Sequence, residues 1–230
     1  MEKIIDTGLF DRRRSGINTL TRRAFMFAIS VFTAMNIVVA ALGAVVSYNL
    51  AFNNGWLLLL FMLVCMLVSV AGAFIAHSND NPMTSVVGGF ICAGAMGVMV
   101  GPFVAMYVIS SVMQALAVTV GVVVLTGFVG ALIPNDLSMW GAPLFAGLLG
   151  LIVLYLFAPL LGLLGIGVGF TITILDVIGI VLFSAIMIYD LNMAQRLDRT
   201  LNNAIDVAVD IFLNFANIFI RVLSLIGKRK

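Results

Sequence analysis

The chain has 230 residues, 63% of them hydrophobic and only 10% charged, with a mean hydropathy of +1.20. Soluble domains carry roughly 25% charged residues, so a water-facing surface is excluded and the solvent is a bilayer. The net charge of +2 comes from the chain ends, and no basic stripe with interleaved aromatics exists to bind nucleic acid.

Residues 1–23 are polar and basic, holding six of the twelve Lys and Arg, among them Arg12, Arg13, Arg14, Arg22 and Arg23. A cleavable leader would show a short apolar region and a small-residue cleavage site here. The apolar run that follows is too long for that and reads as a retained first span. From Ala24 through Gln195 there is no basic residue at all.

Acidic residues divide the apolar remainder. The stretch from Arg23 to Asp80 suits two spans split by "SYNLAFNNGW" (47–56), and that from Asp80 to Asp136 suits two more, split by "MYVISS" (106–111). The third pair lies between Asp136 and Asp190, divided by "APLLGLLGIG" (158–167), where Pro159 and the glycines favour a turn. Backbone groups in lipid are satisfied within their own segment, so the spans are helices. The reading is six helices at about 24–47, 56–76, 84–106, 110–132, 139–158 and 168–190, with a seventh at about 203–226. Residues 24–227 thus form one all-α integral membrane domain between the basic segment 1–23 and a basic tail, 228–230.

In the third helix, Gly94, Gly97 and Gly101 share a face, which permits close helix packing or the thin lining of a groove. Pro102 is placed to break that helix. Cys65 and Cys92 form no metal or redox pattern and read as small buried hydrophobes.

Basic residues near span ends set orientation. They put the N-terminus in the cytoplasm, and six crossings return Arg196 and Arg199 to the same side. A seventh crossing would export Lys228, Arg229 and Lys230 against the rule, so the last segment either crosses or forms a re-entrant hairpin.

That last segment carries Asp206, Asp210, Asn214, Asn217 and Arg221 at spacings of four, four, three and four. At 100° per residue they occupy an arc of about 80°. A charge at mid-membrane costs about 2.5–3.5 kcal/mol even on lenient scales, so the stripe faces other helices or water held between them. In the sixth helix Asp176 and Asp190 are fourteen residues apart, on one face and about 21 Å apart along the axis. Asp190 either ends its helix at headgroup level or, beside Asp206 or Asp210, forms an intramembrane proton or cation site. Two carboxylates meeting there cannot both ionise cheaply. His77, the single histidine, reads as a headgroup-level residue or a pH sensor. With one His, two scattered Cys, and no GxSG, HExxH or GxGxxG pattern, neither an enzyme nor a resident cofactor is expected.

The segments "SNDNPMTSVVGGF" with "GVMVGPFVAMY" (78–107), "GIVLFSAIMIYDLN" (179–192) and "AVDIFLNFANIFIRVLSLIG" (208–227) resemble the Bax inhibitor-1 family, in particular its bacterial YccA-like members. The resemblance implies seven helices with a semi-polar seventh enclosed by the other six. It also implies a bacterial inner-membrane location and one of two roles: a pH-sensitive calcium leak channel, or modulation of a membrane-bound AAA protease. In channel-type members the aspartate of "YD" pairs with an aspartate of the seventh helix. Asp190 matches the first, whereas the second falls on Asn214, with Asp210 one turn earlier able to restore a pair. His77 stands near the place of a bridging arginine. Asp190 and Asp210 are then the candidate calcium ligands, with Asn214, Asp206 and Asp176 along the same path.

Overall fold

The computed structural model describes residues 19–50, 54–78, 80–163 and 167–230. Arg12, Arg13, Arg14 and most of the basic segment therefore lie outside the described residues. Seven long apolar helices dominate: α1 (Arg22–Ser47), α2 (Gly55–His77), α3 (Pro82–Ala105), α4 (Ile109–Leu132), α5 (Gly141–Leu163), α6 (Val168–Ala194) and α7 (Leu201–Ile226). All seven are long and apolar enough to cross a membrane.

Polar residues at the turns start several of these helices. Thr21, Asn54, Asn81 and Thr200 are N-caps whose side chains accept from backbone N–H groups of the first turn. Pro82, at the first position of α3, has no N–H to leave unsatisfied.

Three expectations are corrected. Pro102 does not break α3, which continues to Ala105; neighbouring helices make prolines tolerable in membrane helices. The turn expected from residue 158 begins later, because α5 runs past Pro159 to Leu163. And α6 extends a full turn beyond Asp190, to Ala194, so this aspartate does not end its helix.

The glycine face of α3 is a close-packing surface. A Cβ on Gly97 would overlap the Ala40 backbone of α1, and one on Gly101 would meet the Ala44 carbonyl oxygen at 2.5 Å. Gly72 of α2 and Gly88 of α3 approach each other's helices in the same way. Small residues let backbones come this close, and dispersion and packing then hold the helices where lipid supplies no hydrophobic drive.

Helix α7 packs against α1, α2, α3, α4 and α6. Its most apolar window is half buried, the largest share of any span. It is one uninterrupted helix of 26 residues, about 39 Å long, so the hairpin reading fails. The tail lies at the bundle end that holds Tyr48 and the α3–α4 turn, where Lys228 carbonyl oxygen accepts from Val108 N–H (3.0 Å). At the opposite end, Leu20 N–H donates to Arg199 carbonyl oxygen (2.6 Å) and Arg22 to Gln195 (3.2 Å). The two ends of α7 are thus on opposite faces, as seven crossings require.

At the end bearing Arg196, one buried side chain fixes the α4–α5 turn. Asn192 Nδ2 donates to the Ile133 (2.9 Å) and Asn135 (3.1 Å) carbonyl oxygens, and its Oδ1 accepts from Leu137 N–H (3.2 Å). Replacing it by Leu leaves three backbone groups without partners, each costing about 1–3 kcal/mol if it stays dry. Asn192→Leu should therefore lower the thermal midpoint in detergent and speed protease cutting at residues 133–137, while Asn192→Asp, which keeps one acceptor, should be intermediate.

Candidate intramembrane polar site

The polar stripe of α7 faces a cavity of about 510 Å³. Asp210, Asn214, Asn217 and Arg221 line one side of it, α6 contributes Asp190 and Phe183, and α2 and α5 contribute Ser69 and Tyr155. Asp210 and Arg221 are eleven residues apart, so the lining spans about 16 Å along the axis.

Beside the cavity at its Asp210 end, His77 Nδ1 is 2.8 Å from Ala73 carbonyl oxygen and Nε2 is 3.2 Å from Asp210 Oδ1. Both side chains are about 40% exposed, which makes this pair the mouth. Next to it, Asn202 Nδ2 donates to Asp206 Oδ2 (3.0 Å), and Asn202 Oδ1 lies 2.9 Å from the Ser85 hydroxyl. Asp206 Oδ1 is buried without a hydrogen-bond partner.

One turn deeper, Asn214 Nδ2 donates to Asp190 Oδ2 at 2.6 Å. Asp190 and Asp210 line the same cavity. The residue touching Asp190 is an amide, because Asp210, one turn nearer the end, turns to His77 instead. Among the described residues no three His, Cys, Asp or Glu side chains gather to hold a metal ion.

The far end is held by Arg221. Its Nη1 donates to Asn217 carbonyl oxygen (2.9 Å) and Oδ1 (3.1 Å), and the guanidinium stacks over Phe183 (4.7 Å) and Tyr155 (5.4 Å). Gly179 makes room for it, since a Cβ there would overlap the Arg221 side chain. Asp176 is buried behind Tyr155, whose hydroxyl donates to Asp176 Oδ1 (2.5 Å), and it does not line the cavity. Asp176 Oδ2 and Arg221 Nε are both buried without hydrogen-bond partners. Beyond Arg221 the interior is an apolar cluster including Tyr107, Ile218, Val222 and Leu223.

Sequence reading missed three contributors. Tyr155 is a single polar residue in an apolar run, Ser85 follows Thr84 in the first turn of α3, and Asn192 bonds a turn more than fifty positions away. None of the three carries a local signal.

The family profile described as "Inhibitor of apoptosis-promoting Bax1" matches residues 22–230. The chain belongs to the Bax inhibitor-1 family. An uncharacterized protein of Deinococcus radiodurans is 27% identical over 201 residues, covering 82% of this chain and 85% of that protein. An uncharacterized membrane protein of Streptococcus pyogenes serotype M3 is 27% identical over 144 residues, covering 60% of this chain and 61% of its own length. An uncharacterized protein of Borreliella burgdorferi is 26% identical over 144 residues, 58% of this chain and 59% of its own. In this Bax inhibitor-1 protein, Asp190 of α6 accepts from an asparagine of α7.

Outside the spans, one carboxylate serves as a control. Asp136 accepts from Ser138 N–H (2.7 Å), and this bond holds its carboxyl below the ordinary range. Its contribution to the turn is complete above the ordinary carboxylate range and is lost only as pH falls through the lowered value. Asp136→Asn should therefore leave any pH response between about pH 5 and 8 unchanged, measured as the slope of flux or of thermal midpoint.

Proposed function

We propose that this protein is a pH-sensitive cation leak channel of the bacterial inner membrane, passing calcium or protons, with its N-terminus in the cytoplasm. The observation that carries the reading is the 510 Å³ cavity lined along one side by Asp210, Asn214, Asn217 and Arg221, with Asp190 opposite. Carboxylate and amide oxygens suit a hard cation. Calcium takes six to eight oxygens, more than Asp190, Asp210 and Asn214 provide, so water completes the shell and the ion passes rather than resides. In this reading Arg221 is the barrier: a half-buried cation at the base repels another.

The proton linkage rests on two contacts. Asn214 serves either form of Asp190, donating Nδ2 to the carboxylate or, with the amide rotated, accepting at Oδ1 from the acid. At the mouth, His77 Nε2 is 3.2 Å from Asp210 Oδ1, a contact that strengthens when the imidazole is protonated. No cofactor and no catalytic group is assigned.

A second reading is a non-conducting bundle that binds and modulates a membrane-bound AAA protease or another membrane partner. Asn214 in place of a second carboxylate, and the apolar cluster beyond Arg221, favour it. Calcium flux into proteoliposomes across about pH 5 to 8, for wild type, Asp190→Asn and Asp210→Asn, decides. Flux that is absent, or that ignores both substitutions, overturns the channel and leaves the bundle.

A further inference from the structure

A second cavity, of about 220 Å³, opens on the other side of α7 and no polar side chain lines it. Its floor is α7 (Phe215, Phe219). Ala41 and Ala44 of α1 and Val104 of α3 form one wall, and Val112 of α4 forms the other. Small residues on α1 leave the recess, and Ala41 is exposed beside it.

The recess points to the tail. Ala44 is one turn from Tyr48, and Val112 is one turn from Val108, about 6 Å in each case. At that level the tail is strapped down by its backbone: Lys230 N–H donates to Met106 carbonyl oxygen (2.9 Å), and Lys228 N–H to Ser111 Oγ (3.0 Å). Lys230 Nζ donates to the Tyr48 hydroxyl (2.6 Å), and the Arg229 guanidinium lies 5.9 Å from the Tyr107 ring centroid. All three basic residues are exposed. The sequence supplies no Asp or Glu in any connection at this end (47–56, 105–109, 163–168) to balance them.

We infer that this face binds an anionic phospholipid, one acyl chain lying in the apolar recess between α1 and α4 and the phosphate held by Lys228, Arg229 and Lys230. The groove selects for hydrocarbon, and the fixed cluster of like charge selects for an anionic headgroup, each Lys or Arg near a membrane surface adding attraction. Backbone bonds tie the tail down, and Tyr48 and Tyr107 hold the Lys230 and Arg229 side chains, so these charges are pre-placed and lose little freedom on binding. The site is independent of the polar cavity on the far side of α7.

Native mass spectrometry of the full chain, delipidated and given phosphatidylglycerol or phosphatidylcholine of identical chains, tests it. About tenfold or greater preferential retention of phosphatidylglycerol is expected. It should vanish in the triple variant K228Q/R229Q/K230Q, whose tail keeps its backbone bonds. It should also fall in Ala41→Phe, which fills the recess while leaving the charges. Leu156→Phe, on an exposed part of α5, which contributes nothing to the recess, should change nothing, and excess inorganic phosphate should not displace the lipid. Equal retention of the two lipids, indifference to the triple variant or to Ala41→Phe, or displacement by phosphate alone would overturn the proposal.

Discussion

Asp190→Asn should cut calcium flux into proteoliposomes about tenfold or more and flatten its response to pH between about 5 and 8, leaving only the part due to the His77–Asp210 contact. The substitution is nearly isosteric, and Asn214 can still hydrogen-bond an amide at that place, so the 2.6 Å contact between α6 and α7 is kept in neutral form. What disappears is the charge that attracts a cation and the proton that comes and goes. A tenfold loss corresponds to about 1.4 kcal/mol, modest beside the cost of leaving a cation in a poorly hydrated site without a counter-charge. Asp210→Asn should lose less, because Asp210 is at the open mouth where water screens it, and His77→Gln should keep flux while altering its pH response. Equal effects of all three substitutions would contradict the order of sites along the cavity.

Gly97→Leu should prevent α1 and α3 from closing. The new side chain must enter space held by the Ala40 backbone, which cannot rotate away as a side chain can. Overpacking typically costs about 1–3 kcal/mol, occasionally more, and here the alternative is to separate α1 from α3 along their shared length. A drop in thermal midpoint and in the monodisperse fraction after detergent extraction is the expected readout. Gly121→Leu is the matched control: a Cβ there meets nothing within 4 Å, so its stability should equal wild type.

These two sites differ in how plainly the sequence announces them. The start and end of α1 to α4 fall within about two residues of the expected spans, because charges and Asn or Pro at the turns bracket apolar runs of bilayer length. The stripe of α7 is legible too, since its polar spacing is helical and hydrocarbon cannot take it. What stayed hidden depends on partners distant in sequence. Pro159 reads as a stop because local rules penalise proline, yet α5 continues through it. Asp190 reads either as a helix end or as a group inside the bundle; α6 runs one further turn past it, and its amide partner comes from another helix. Gly97 announces a small-residue face without naming its partner. Only the packed helices show that the partner is Ala40.

The half-buried, semi-polar character of α7 bears on how the chain is made. Synthesis delivers this segment after the other six helices, and alone it would face lipid with two aspartates and an arginine exposed. Its entry therefore depends on earlier helices already waiting, with a wet furrow open to receive it. A nascent chain stopped before residue 201 would leave that furrow unfilled in the bilayer, a defect that membrane quality control could read.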